Sequence, residues 1–404
     1  MGKNIVILCD GTSNEIEHDR TNILRLYGCL VKSKPAEQIV FYDPGVGTFG
    51  AEESAFGFWR KATEIWGLAT GWGLDRNVKE AYEFLVHHYD HDAVDAEGNS
   101  EPDRIYVLGF SRGAYASRVL AGFIHAFGLI QPTQLNLLDY AYRAYKGIGE
   151  KAGNAANPNT ADAFARIRLY ERTLRPTRPV VHFLGLFDTV ASIIEAGQVG
   201  LRQGKYAFSH TNRSVAHVRH AVALDERRTA FQPMLWPTGQ KHRPDYWHKT
   251  SEVEQVAKEL WFRGVHGDIG GGYPEGLSAL AKIPLAWMIN EATDCGLKFT
   301  TNTVNSIVLG KERRGSAKSY TKPNPCAEMQ NSMTWGWKVL EFIPRRKGDQ
   351  VRTKKGTLAG FFVPNGERRI VPDDAEIHPS VYACEDIDIA KAHPNLPPEK
   401  AKIA

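Results

Sequence analysis

Five cysteines stand among 404 residues, odd in number, scattered and without a CxxC pair. That argues against both a disulfide framework and a structural zinc site. Cys9 lies inside an apolar run and reads as a small core residue. There is no HExxH, no Walker A sequence and no close His/Cys cluster, so no metal or other cofactor is indicated. Asp10, Asp43 and Asp268 end apolar runs, yet nothing in their spacing demands a divalent ion. No apolar run approaches the ~18–20 residues that span a bilayer. Met1-Gly2-Lys3-Asn4 leads straight into a strand pattern, without the regions of a signal peptide. Cytoplasmic synthesis without signal-peptide export is therefore expected. Charge of one sign is also scarce: a formal net charge of +4 is too small at this length to suggest a nucleic-acid partner. The compact basic runs, Arg345-Arg346-Lys347 and Lys354-Lys355, read as solvated loops. With 42% apolar and 24% charged residues, the chain has what one large globular core needs.

What is there alternates. Ile5–Cys9 is a short apolar run closed by Asp10-Gly11-Thr12, the pattern of a buried parallel strand. A helical face follows over Thr21–Lys32. Gln38–Tyr42 is a second strand, Leu74–Tyr89 a helix, Arg104–Leu108 a third strand and Ala114–Phe127 a helix. Val180–Phe187 and Leu260–Val265 supply further strands, and Pro284–Cys295 a further helix. Strands separated by helices predict an α/β fold, a mostly parallel sheet flanked by helices. Residues 1–298 are expected to form the catalytic domain, with insertions at about 47–72 and 131–178. The second insertion holds an Ala/Asn-rich linker. An irregular extension, 299–404, is expected to pack on that domain, with β-like pieces such as Gly360–Val363.

Gly109-Phe110-Ser111-Arg112-Gly113 fits G-x-S-x-G between a strand and a helix. Serine is a weak nucleophile, and this motif turns a strand so sharply that the hydroxyl stands clear of the sheet, at a helix N-terminus. It needs a base, and the base an orienting acid, in the chain order Ser, Asp or Glu, His, each at a strand end. Asp188 and His266 meet both conditions. Asp268 is the alternative acid, two residues beyond the base. Asp225 is set aside, on a segment with Glu226, Arg227 and Arg228 that reads as a salt-bridged helix surface. His87, His88, His217 and His220 are assigned to helical segments. The oxyanion of a tetrahedral intermediate needs two aimed N–H donors. Arg112 supplies one from its backbone, and Gly11 or Thr12 the other, although Asp10-Gly11-Thr12 reads equally well as a plain strand-ending turn. The aromatic stretch from Phe49 to Trp72 reads either as a lid or acyl-chain wall or as the packing of an inserted helix.

Together Asp10-Gly11-Thr12, GFSRGAYASR (Gly109–Arg118), FLGLFDTVAS (Phe183–Ser192) and GVHGDIGGGYPE (Gly264–Glu275) resemble one family. It is the α/β-hydrolase family containing the catalytic domains of type VI secretion phospholipase effectors. Gly71–Tyr89 and Leu285–Leu297 are similar to its connecting helices, so the resemblance covers roughly Lys3 to Leu297. It implies an α/β-hydrolase fold, with Ser111 as nucleophile, Asp188 as acid and His266 as base. It also implies hydrolysis of phospholipid or another lipid ester, peripheral membrane contact and export by a dedicated secretion machine. The family's larger effectors carry a membrane-engaging module, whereas only 299–404 follow the matched part here. Two other functions compete with lipid-ester hydrolysis: a carboxylesterase for small soluble esters, and a silent binding module on the same scaffold. Gly45-Val46-Gly47-Thr48-Phe49-Gly50 matches G-x-G-x-x-G, but Pro44 precedes it and no helix opens at Gly50, which sets dinucleotide binding aside. Oligomeric state is left open.

Overall fold

The structure is a computed structural model that describes residues 2–11, 19–45, 71–152, 159–190, 206–244, 251–312, 315, 318–346 and 353–401. Its centre is a seven-stranded parallel sheet. The strands are β1 (Asn4–Cys9), β2 (Gln38–Asp43), β3 (Arg104–Phe110), β4 (Val181–Phe187), β5 (Val215–Ala223), β6 (Val256–Phe262) and the short β7 (Glu376–Ile377). Their order across the sheet is β7-β6-β5-β4-β3-β1-β2. Five consecutive residues, Ile5–Cys9, are buried because helices cover both faces, which is why β1 reads as a continuous apolar run.

The helices are α1 (Asn22–Cys29), α2 (Gly71–His88), α3 (Arg112–Phe127), α4 (Leu138–Ala152), α5 (Asn159–Leu174), α6 (His266–Gly270) and α7 (Lys282–Asp294). On one face, Val119, Leu120, Phe123 and Phe127 of α3 pack with Ile5, Ile7 and Val107 of the sheet. On the other, Ile23 and Leu26 of α1 and Leu285 and Met288 of α7 pack with Val6, Leu8, Tyr106 and Phe183. The chain runs outward from β1 to β2 and then returns to place β3 on β1's other side. Ligands of open α/β sheets gather at such a reversal, beyond the carboxyl ends of the strands. Ser111 follows β3 there.

Several expectations are corrected. The insertion expected at 131–178 contains α4 and α5; of its Ala/Asn-rich linker, 153–160, the last two residues open α5 and the rest lie outside the described residues. His217 and His220 lie on β5, not on a helix. Polar side chains break up the apolar signal of β5, and two of them are paired in place: Arg219 Nε bonds Glu291 Oε2 at 2.5 Å and His220 Nδ1 bonds Glu259 Oε2 at 2.8 Å. Asp225 and Glu226 are not on a surface helix but buried in the turn after β5. Cys326 and Cys384 pair with Cα atoms 5.5 Å apart, a single link that odd, scattered cysteines did not suggest. The β-like piece near 360 is Phe361–Phe362, antiparallel to Arg345–Arg346. The aromatic stretch falls outside the described residues except for Trp72, whose backbone belongs to α2. After residue 298 the chain returns to the sheet: β7 pairs with β6, and Val371, Val381, Ile389 and Leu396 bury against Val222, Leu224 and Trp261.

Candidate active site

β3 ends at Phe110, and Ser111 turns directly into α3 with φ 58 and ψ −121. A non-glycine residue held there costs roughly 1–3 kcal/mol, so its surroundings must enforce it. They do so by close approach. A Cβ on Gly113 would lie 2.2 Å from the Cys9 carbonyl oxygen, and one on Gly109 would lie 2.5 Å from that of Gly113. Both glycines of G-x-S-x-G are therefore required sterically. Ser111 N–H donates to the Phe187 carbonyl at 3.0 Å, tying the turn to β4.

β6 leads through Gly264 to His266, the first residue of α6. Glu226 accepts its backbone N–H at 3.1 Å. The ring lies between Phe110 and Phe231, each with its centroid 4.8 Å away. Ser111 Oγ lies 2.8 Å from Nε2, and Asp188 Oδ2 lies 2.5 Å from Nδ1. With the ring proton on Nδ1, the imidazole donates to Asp188 and accepts from the serine hydroxyl. The three residues that the strand-end rule singled out are brought into one hydrogen-bonded chain.

Asp188 closes β4, fully buried and with φ 40. Its Oδ1 accepts the Ala223 N–H at 2.9 Å and Arg369 Nη1 at 2.6 Å; its Oδ2 accepts Arg369 Nη2 at 2.9 Å. Burial alone would push this carboxyl up. The Arg369 charge and the bonds from His266 and Arg369 outweigh burial and hold it far below the usual carboxylate range. Burial depresses His266, which favours the neutral imidazole, against the opposing pull of Asp188. Glu226 is also buried, and despite that the bonds and charge of Arg228 bring its pKa down to about 2.

Asp268 does not join the chain. Its Oδ2 accepts the N–H groups of Val265 at 3.0 Å and Gln330 at 3.2 Å, and burial lifts its pKa to about 6. The N–H of Gly11 is used locally, donating to Asp10 Oδ1 at 2.7 Å. Asp10 Oδ2 accepts from Thr21 Oγ1 and Tyr42 Oη, which fixes the turn after β1. The oxyanion expectation for Gly11 thus meets a competitor in the same turn, and Thr12 lies outside the described residues. Arg112 is the first residue of α3, so its backbone N–H lies at that helix's N-terminus, beside Ser111. Arg369, Glu226 and Phe231 were missed in the sequence, since none belongs to a motif. Their contacts join segments up to 181 positions apart. Among the described residues no group of three His, Cys, Asp or Glu side chains is placed to hold a metal ion.

The family model described as "T6SS, Phospholipase effector Tle1-like, catalytic domain" matches residues 3–291. The chain belongs to this Tle1-like family. An uncharacterized protein of Saccharomyces cerevisiae is 34% identical over 246 residues, which cover 58% of this chain and 33% of that protein. A crystal structure of an uncharacterized protein from Pseudomonas aeruginosa shares 20% identity at a TM-score of 0.38, covering 74% of this chain and 46% of that one. The Tle1 effector, solved bound to the VgrG spike of the type 6 secretion system, shares 20% identity at a TM-score of 0.35, covering 69% of this chain and 53% of that one. The chain thus spans about a third to a half of the length of these relatives.

Proposed function

We propose that this Tle1-like chain is a serine ester hydrolase that cleaves the carboxylic esters of lipids, phospholipids first, through a Ser111–Asp188–His266 triad. The observation that carries the reading is the hydrogen-bonded chain from Ser111 Oγ through the imidazole to a buried carboxylate. As Oγ attacks the ester carbonyl, His266 Nε2 takes its proton, and the imidazolium so formed is stabilised by Asp188. The tetrahedral oxyanion gathers at the start of α3, where the Arg112 N–H and the positive end of the helix dipole favour negative charge. His266 then returns the proton to the leaving alcohol, and water releases the acyl group by the reverse sequence.

The substrate class rests on the family's description as a phospholipase effector, and export by a type VI secretion machine belongs to the same proposal. Peripheral membrane contact has support in α8 (Trp335–Leu340), a short helix beside the site. Trp337 turns inward, its ring 5.5 Å from that of Phe231, while Trp335, Val339 and Phe342 are exposed. No helix among the described residues is long and apolar enough to cross a membrane. The test is hydrolysis of phospholipid vesicles against a short p-nitrophenyl ester. Fatty acid release from vesicles that disappears in Ser111→Ala is expected. Hydrolysis of the short ester alone would make the chain a carboxylesterase for soluble substrates, and activity retained by Ser111→Ala would end the serine mechanism.

A further inference from the structure

A carboxylate with no exposure to water needs a counter-charge, or it takes up a proton. Asp188 receives neutral donors from Ala223 N–H and His266 Nδ1, and among the described residues one cation touches it directly: the guanidinium of Arg369. Among the described residues, His220 also acts on it, and Glu226 and Arg228 act on its partner His266. His220 is bonded to Glu259 and its Nε2 accepts the Thr189 N–H, while Glu226 and Arg228 pair with each other. Arg369 grips with both arms. Nη1 bonds Asp188 Oδ1 and the Ala223 carbonyl at 2.6 and 2.8 Å, and Nη2 bonds Asp188 Oδ2 and the Phe231 carbonyl. Four acceptors thus fix the plane of the fork, and through it the plane of the carboxylate that orients His266.

The segment bearing Arg369 is itself anchored. Gly366 O accepts from Arg227 Nε at 3.0 Å, Arg368 Nη1 reaches Asp225 Oδ1 at 3.3 Å, and Asn395 Nδ2 bridges the carbonyls of Leu224 and Arg369. His393 Nδ1 bonds Asp225 at 2.8 Å from farther along the same segment. Each contact lands on the turn after β5, the stretch that also supplies Glu226 to His266 and Phe231 to its ring.

We propose that Arg369 is a positioning residue that keeps Asp188 ionised and aligned, so that the C-terminal segment beyond the family-matched 3–291 completes the active site. This rests on the Ser111–Asp188–His266 reading. Asp188 and His266 share one titration, and its midpoint belongs to the pair rather than to either residue. Removing a cation bonded to the carboxylate lets the pair bind a proton more easily, wherever that proton sits. The acid limb of kcat/KM therefore moves to higher pH, which a purely structural loss would not cause.

The experiment is a pH–rate profile of the full chain on a short p-nitrophenyl ester for Arg369→Met, Arg369→Lys, Asp188→Asn and Asp188→Asn/Arg369→Met, with folding followed by circular dichroism. Arg369→Met should lower kcat/KM about a hundredfold or more and raise the acid midpoint by about one pH unit. Arg369→Lys, which keeps the charge and loses the fork, should recover about tenfold and most of the midpoint. In the Asp188→Asn background, Arg369→Met should cost less than about threefold, because its target carboxylate is gone. Should the Met variant not fold, Arg369→Lys carries the test, with lowered kcat at a retained fold. Wild-type pH profiles in both Arg369 variants, or an equal loss from Arg369→Met with and without Asp188, would overturn the inference. Ser111→Ala separates the two levels. If it abolishes activity while the Arg369 profiles stay wild-type, only this inference falls; if it stays active, the reading beneath it falls as well.

Discussion

Gly270→Ala tests the packing that aims His266. Gly270 ends α6, and its backbone does not occupy the left-handed region, so alanine suits the conformation. The obstacle is Phe110: an added Cβ would sit 1.9, 2.1 and 2.2 Å from three carbons of its ring. Ordinary carbon contacts lie at about 3.5–4.0 Å, so the ring must retreat by roughly 1.5–2 Å. It has little room, being buried among Ile269, Phe187 and Leu108, with the His266 ring at 4.8 Å. Overpacking of this kind costs about 1–3 kcal/mol. A displacement of about 1 Å passed on to the imidazole costs about a hundredfold in rate. The assay is kcat/KM on a short soluble ester beside urea unfolding. The expected result is a loss of both activity and stability, with a substantial part of each restored by adding Phe110→Leu, which removes the clashing ring. Full activity in Gly270→Ala, or a double variant no better than the single, would refute the claim that this packing holds the histidine in place.

Asp188→Asn keeps the shape and removes the charge that fixes the imidazole tautomer; kcat should fall about 10⁴-fold, and a loss below tenfold would remove Asp188 from its role. Asp268→Asn should change kcat by less than about threefold and instead alter stability with pH. Because burial raises the folded pKa of Asp268 from 3.8 to about 6, its contribution is fully present below pH 3.8 and lost as pH rises through about 6. The Asn variant should thus match wild type near pH 4 and exceed it by about 2–3 kcal/mol at pH 8, read by urea unfolding. Burial pulls His266 down, so the acid midpoint of the Asp188–His266 pair in wild-type kcat/KM should lie below the ordinary histidine value of 6.5; a midpoint above it would contradict that depression. The Cys326–Cys384 link closes a separation of 58 residues. Its reduction should cost up to about 4 kcal/mol by loop entropy, and full alkylation of both thiols in unreduced protein would show that the link is not made.

The strand-to-helix alternation and the three chemical residues were legible because they sit where local pattern and topology coincide: at ends of apolar strands, in glycine-framed turns. Ser111 needed only Gly109, Gly113 and the strand before them. β5 stayed hidden because Arg219, His217 and His220 interrupt its apolar pattern, and the partners of Arg219 and His220, Glu291 and Glu259, lie on other elements. Asp225 and Glu226 looked like surface charge because no sequence pattern reveals that Gly264 N–H, His393, Arg228 and the His266 N–H would bury them. Arg369 is the clearest case, its meaning residing in a carboxylate 181 positions earlier.

The most direct measurement is to treat the folded chain with a fluorophosphonate and map the adduct by peptide mass spectrometry. A single phosphonylated site at Ser111, lost in Ser111→Ala and slowed at least a hundredfold in His266→Ala, is the predicted result. Folded protein that takes up no label, or takes it up at another residue at the same rate when His266 is absent, would contradict the account.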